Sequence, residues 1–281
     1  MYRGKTVSLS FPPFTPWVKR IVIACTGIFF LQEVLGRVAP NLGFGEFLQD
    51  YFCLMPAAVV EHGRVWQLAT YSLLHGGLWH LLTNMLTLWM FGSQEEQDWG
   101  SRRFIEFYLF CVVGAALVTM GVSYLGWGMT PRTITLGASG GIYGLLIAFG
   151  MLYGDRELFL FPLPVAIKAK YLVAILMFIV LISAFQPSQG GVANFAHLGG
   201  ALFGFLYLKL LPKRGISFAT TEKYFGLRNS YYRWKRKKAA KKFEVYMRDH
   251  DRKVTFDEHG NYVPPDENDK PNGGSKSGWV N

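Results

Sequence analysis

Ser139, His197, His80 and Asn84 are the residues best suited to chemistry in this chain, because each is a polar side chain set in an apolar stretch. Strongly polar groups inside such stretches are costly when unpaired, which makes each a functional candidate by default. A serine hydroxyl is a weak nucleophile until a base takes its proton. In the last apolar stretch, NFAHLGGALFGFLYL, the ionisable residue of the right kind at matching depth is His197. Ser139 opens ASGGIYGLLIAFG, where a helix N-terminus would offer unpaired N–H groups and the positive end of its dipole to a developing oxyanion. Glu96 and Asp155 fall at the opposite ends of their stretches, so no carboxylate is placed to orient the imidazole. The implied pair is a dyad with Ser139 as nucleophile and His197 as general base.

His80 and Asn84 are four apart and share one helical face, offering a ring N–H and an amide NH2 toward one point. With the Ser139 backbone N–H they would form an oxyanion site, in which one donor is typically worth roughly 2.7–4 kcal/mol. His75, at the loop–helix junction, reads as a hydrogen-bonding brace for the outer loop. Tyr143 lies one turn below Ser139, where its ring would pack on the imidazole. Gly137, Gly140, Gly141 and Gly144 surround the serine, and Gly199, Gly200 and Gly204 follow the histidine. Small residues at such spacings let helix backbones approach closely, and Gly200 and Gly204 lie on the face of His197.

Each feature also has a plainer reading. A lone membrane serine usually bonds back to a carbonyl, glycine-flanked helices are more often tight packing, and one buried histidine serves equally as a proton relay. Metal binding by His75, His80 and His197 stays open, but lacks the close ligand spacing of a strong metal motif. What favours hydrolysis is conjunction: nucleophile, base and oxyanion donors fall at one depth on three separate stretches.

Those stretches define the elements that must position the residues. Of 281 residues, 51% are hydrophobic and 17% charged, and the charge is concentrated after Leu211, which points to a polytopic all-α membrane protein. Apolar segments near 17–36, 68–92, 104–126, 138–153, 168–186 and 193–211 are each about long enough to cross a bilayer or a thinned one. The first lacks a signal-peptide cleavage pattern and reads as a retained helix. With the N-terminus inside, only Arg37, Arg64 and Arg132 of the 29 Lys and Arg fall outside, which places both termini in the cytoplasm. Cys25, Cys53 and Cys111 share no metal-like spacing.

The expected organisation is a short cytoplasmic segment 1–16, a six-helix membrane domain 17–211 and a basic tail 212–281. The outer connection 38–65 is too apolar for a solvated loop and reads as an interfacial amphipathic segment with Phe47, Leu48, Tyr51, Phe52 and Leu54 at the lipid boundary. The tail opens as a basic, potentially helical run. Two readings of it are attraction to anionic lipid and simple enforcement of topology; nucleic-acid binding is disfavoured. Its end, from Asn261 on, is rich in Pro, Gly and Asp and is expected to be disordered.

At these residues the chain resembles the rhomboid family of intramembrane serine proteases. The family's Gly-x-Ser-Gly motif stands as Gly137-Ala138-Ser139-Gly140 with Tyr143 following, and its Ala-His-x-x-Gly-x-x-x-Gly pattern as Ala196-His197 through Gly200 and Gly204. Its His-x4-His-x3-Asn pattern stands as His75, His80 and Asn84, and its acidic residue before a Gly-Ser turn as Glu96 with Gly100 and Ser101. The Trp-Arg pair of many members appears as Trp66-Gln67. The resemblance covers roughly 17–211 and implies a rhomboid-like bundle of six transmembrane helices in a bacterial-type arrangement, expected in a bacterial inner membrane. It also implies a Ser-His dyad, no metal or cofactor, and transmembrane proteins as substrates, cut near the outer face.

Two rivals remain. An inactive rhomboid-like protein would bind membrane clients without cutting them, but such branches lose the serine or the histidine. A transporter would spread ionisable groups through the full membrane depth, whereas here they stop on one side.

Overall fold

The computed structural model describes residues 12–159 apart from 40 and 42, then 166–185, 191–210, 216–250, 252 and 254–264. The chain separates into two compact units, 1–216 and 217–281.

In the first unit, α1 (Pro16–Val38) starts at a proline, whose missing N–H and fixed φ suit a first helical position. Its next N–H groups are capped from another helix: the Glu96 carboxylate accepts from the backbone N–H of Trp17 at 3.0 Å and of Val18 at 3.1 Å. Two short helices follow, α2 (Phe44–Phe52) and α3 (Pro56–His62), then α4 (Gln67–Thr70) with a 3₁₀ turn at Tyr71–Leu73. Helix α5 (Leu78–Thr87) runs through a wide π turn at Leu88–Gly92 into α6 (Ser93–Trp99). Gly100, at φ +79°, turns the chain into α7 (Ser101–Tyr124). Then come α8 (Ser139–Leu152), the hairpin β1 (Glu157–Phe159) and β2 (Ala166–Lys168), α9 (Ala169–Ala184) and α10 (Gly191–Leu210). The hairpin is antiparallel, with Leu158 opposite Ile167.

Helices α7, α8 and α10 pack together at the centre. Phe104, Phe107, Cys111, Val112 and Leu145 are fully buried there, and Tyr207 of α10 meets Phe107 edge-on at 5.1 Å. Among the described residues, α1 and α7 are long and apolar enough to cross a membrane, while α8 and α9 are apolar but shorter.

Two expectations are corrected here. The stretch 68–92 is not one helix: residues 67–77 form α4, the 3₁₀ turn and an irregular link, and the regular helix starts only at Leu78. Hydropathy misses the break because the buried Tyr71 and Leu74 keep the stretch apolar. In the outer connection, Phe47 and Tyr51 are exposed as expected, but Leu54 is wholly buried and pairs its backbone with Thr135 at 2.9 Å in both directions. That strand-like bridge turns Leu54 inward, away from the face of α2.

The second unit contains most of α11 (Ile216–Arg248) and an antiparallel pair, β3 (Thr255–Phe256) with β4 (Tyr262–Val263). The turn between the strands is built by Asp257, which accepts from the backbone N–H of His259 and Asn261 at 2.8 Å each. Phe256 meets Phe243 and Tyr262 edge-on, joining the hairpin to the helix. Disorder was expected from Asn261, yet residues 261–264 belong to this ordered hairpin. The rest of that expectation lies outside the described residues, as does most of the segment 1–16.

Candidate functional site

Ser139 is the first residue of α8, and the turn before it depends on Gly137, whose φ of +121° is strained for any residue with a Cβ. A Cβ there would also stand 2.8 Å from the His80 ring and 3.7 Å from the Ser139 Oγ. The glycine thus lets the imidazole of α5 and the hydroxyl of α8 approach from two sides. Its backbone N–H donates to the carbonyl of Tyr71 at 2.9 Å.

His197, on α10, brings its Nε2 to 2.8 Å from the Ser139 Oγ across 58 residues of chain. The contact requires two helix backbones to lie unusually close. A Cβ at Gly200 would fall 1.8 Å from the Gly140 carbonyl oxygen, and one at Gly204 would fall 2.8 Å from the Gly144 Cα. Only paired glycines permit that approach.

The imidazole is held by packing rather than by a carboxylate. Tyr143 stacks on it with ring centres 4.3 Å apart and planes 15° from parallel. Its Nδ1 is buried, with no hydrogen-bond partner among the described residues. For Nε2 to accept the serine proton, Nδ1 must bear the ring hydrogen.

The other candidates gather at the same end of α8. His80 meets His75 edge-on, with ring centres 5.2 Å apart. His75 is buried and packs beside His80. The Asn84 amide donates to the His80 carbonyl at 2.8 Å, its own helix one turn back. That uses one of its two N–H bonds and leaves the other available. Among the described residues, no three His, Cys, Asp or Glu side chains converge as a metal site, so His75, His80 and His197 do not form one.

Two supporting groups were not singled out from the sequence. Tyr71 is buried and donates its hydroxyl to the Val112 carbonyl at 2.8 Å, fixing the backbone that in turn holds Gly137. A phenol in an apolar stretch needs such a partner, which was the available signal. Gly114 of α7 receives the Phe203 ring, whose Cγ lies 2.0 Å from where a Cβ would stand, and so seats α10 against α7.

The outer connection is anchored despite the glutamine at position 67. Gln67 is fully buried; its amide donates to the Asp50 carbonyl at 2.8 Å and its oxygen accepts from the Met55 N–H at 3.1 Å. Arg64 donates to the same Asp50 carbonyl at 2.7 Å and pairs with the Asp50 carboxylate at 2.9 Å, while the Trp66 indole donates to the Tyr51 carbonyl. At the far end of the bundle, Ser101 donates to the Glu96 carboxylate that caps α1. Burial there raises the Glu96 pKa, but the Ser101 hydroxyl and the N–H groups of Trp17 and Val18 outweigh it and hold the carboxyl below its ordinary value.

The arrangement can deliver a serine hydroxyl, with a base in contact, to a carbonyl placed at a helix N-terminus between His80 and α8. Comparison with known proteins leads to the same family as the motifs. The family model of the Rhomboid domain matches residues 62–214, more than half of the chain. The chain is 35% identical over 232 residues to RHOMBOID-like protein 5 of Arabidopsis thaliana, covering 72% of this chain and 71% of that one. It is 33% identical to RHOMBOID-like protein 1 of the same plant, over 70% of this chain and 54% of the relative. It is also 31% identical to the Rhomboid protease GluP of Bacillus subtilis, over 67% of this chain and 34% of that protein. The chain thus spans only about half of RHOMBOID-like protein 1 and a third of GluP. With the family model over its helical core and a 35% identical relative covered for most of its length, the chain belongs to the rhomboid family of polytopic, helical integral membrane proteins.

Proposed function

We propose that the chain is an intramembrane serine endopeptidase that hydrolyses peptide bonds in or near transmembrane segments of other membrane proteins. The single observation behind this reading is the 2.8 Å contact between His197 Nε2 and Ser139 Oγ at the start of α8. Oγ adds to the scissile carbonyl carbon while its proton passes to Nε2. The developing oxyanion takes hydrogen bonds from the Ser139 N–H, His80 and the free Asn84 N–H. Collapse breaks the C–N bond, and Nε2 returns the proton to the departing amine. A water then attacks the acyl-serine ester, losing its proton to Nε2; the C–Oγ bond breaks, Oγ takes that proton back, and the new carboxyl terminus leaves.

Six helices, α1, α5 with the π turn that follows it, α7, α8, α9 and α10, cross the bilayer in this reading, with both termini in the cytoplasm and a bacterial inner membrane as the location. The length of α8 supports it. Fourteen residues rise about 21 Å at roughly 1.5 Å each, short of the ~30 Å hydrocarbon core. If its far end reaches the cytoplasmic face, Ser139 starts below the outer surface, where water must reach it through a cavity. Substrate would unwind beside α5 and α9, whose Trp79, Leu82, Phe178 and Ile182 are exposed.

The test is cleavage of a single-span protein by the reconstituted chain, wild type against Ser139→Ala. Cleavage by the wild type alone supports the reading. Tight client binding without cleavage by either would instead support an inactive rhomboid-like protein.

A further inference from the structure

Helix α11 has two unlike faces, and the hairpin that follows distinguishes them. Gly260, at the tip of the β3–β4 turn, lies so close to α11 that a Cβ there would meet the backbone of Arg236 and Lys237 at 3.0 Å. Beside this contact Ala240 is buried. Glu244, four residues after Ala240, stands on this same side.

The opposite side is a continuous stripe at alternating spacings of four and three: Leu227, Tyr231, Trp234, Lys238, Lys241 and Val245. No carboxylate stands on it. Leu227 is 74% exposed, Trp234 57% and Tyr231 56%, so the rings and the leucine lie open beside the lysines. The Lys238 ammonium sits over the Trp234 ring, 5.2 Å from its centre.

We propose that this stripe docks on the surface of an anionic lipid leaflet. Its rings and leucine would enter the headgroup boundary, and its lysines would pair with lipid phosphate and carboxylate. Three observations select this occupant. Aromatic residues alternating with lysine along one stripe match the interfacial amphipathic helix, which needs apolar burial and positive charge together. Lysines at adjoining seam positions disfavour a coiled coil with a second copy. Finally, five residues separate the end of α10 at Leu210 from Ile216, and at no more than about 3.6 Å each they tether α11 to an apolar helix of a membrane protein. The hairpin would brace the far side, so that the aromatic and lysine stripe is the face offered. This proposal does not depend on the protease reading.

The experiment is hydrogen exchange of the whole protein in nanodiscs of neutral lipid and in nanodiscs containing an anionic lipid. Residues 227–245 are expected to exchange at least about tenfold more slowly in the anionic discs, with the protection lost at high salt. The combined substitution Lys238→Glu and Lys241→Glu should abolish the difference. Trp234→Ala, with every charge kept, should reduce it, and this keeps the test decisive if the double variant misfolds. Equal exchange in the two discs would overturn the proposal. So would protection that appears only with added RNA, or that rises with protein concentration in neutral discs.

Discussion

His197 Nε2 and Ser139 Oγ lie 2.8 Å apart although no carboxylate orients the imidazole, whose second nitrogen is buried without a partner among the described residues. Base and nucleophile therefore depend on each other and on ring packing. Ser139→Ala and His197→Ala should each lower cleavage by at least about a thousandfold. Both should keep the wild-type thermal midpoint to within a few degrees. Near-full turnover by either variant in a reconstituted assay would remove the dyad.

With no carboxylate, the ring of Tyr143 is what fixes the plane of the imidazole, by stacking at 4.3 Å. Tyr143→Phe should retain most activity because the stacked face remains. Tyr143→Ala should lose roughly tenfold in kcat with little change in KM, since an aromatic pair is worth about 0.5–1.5 kcal/mol. A phenylalanine variant as impaired as the alanine one would assign the effect to the hydroxyl instead.

The polar residues of the site could be found in the sequence because they are conspicuous against apolar surroundings: Ser139, His197, His80 and Asn84 each violate the local hydropathy. The glycines near them were visible for the same reason of type and spacing. Other features left no such mark. Leu54 is buried through a backbone bridge to Thr135, and a backbone bond between distant residues has no signature in side-chain pattern. The break at 67–77 stayed hidden because Leu68, Tyr71, Leu73 and Leu74 carry apolar character across it, although Gly76 and Gly77 stand at its end. The two-residue strands of the β3–β4 hairpin are too short to show alternation, and the second of them falls where the Pro, Gly and Asp content suggested disorder.

Gln67 tests how the outer connection is held. It satisfies the Asp50 carbonyl and the Met55 N–H from a fully buried position. Gln67→Ala strands the Met55 N–H, at a cost of roughly 1–3 kcal/mol when it stays dry, while the Asp50 carbonyl keeps its bond from Arg64. The expected result is a lower thermal midpoint and faster proteolysis within residues 44–62, with the Ser139–His197 pair still able to react with a serine-directed probe. Unchanged proteolysis would mean that the Arg64–Asp50 pair alone secures the connection.

Glu96 predicts a dependence on pH. Its folded-state pKa lies below the ordinary 4.5, so its charge stabilises the fold above that value, and the contribution is lost as pH falls through the lowered folded value. Glu96→Gln should be less stable than wild type at neutral pH, because the cap on α1 loses its charge. The gap between the two proteins should narrow as the solution is acidified from about pH 6 to pH 3. Parallel curves across that range would show that the carboxyl is not the group that titrates.

The approach of α8 to α10 can be tested with two glycines that differ only in what surrounds them. Gly200 faces the Gly140 carbonyl oxygen so closely that a methyl group would sit 1.8 Å from it, whereas Gly121 on α7 has nothing within 4 Å. Gly121→Ala should be neutral or stabilising by about 0.5–1 kcal/mol, the usual gain of alanine over glycine in a helix. Gly200→Ala must push the two backbones apart, at about 1–3 kcal/mol or more. It should lower both the thermal midpoint and cleavage, because that same separation sets the distance from His197 to Ser139. Should Gly200→Ala keep wild-type stability and turnover, the close packing of these two helices could not be what brings the base to the hydroxyl.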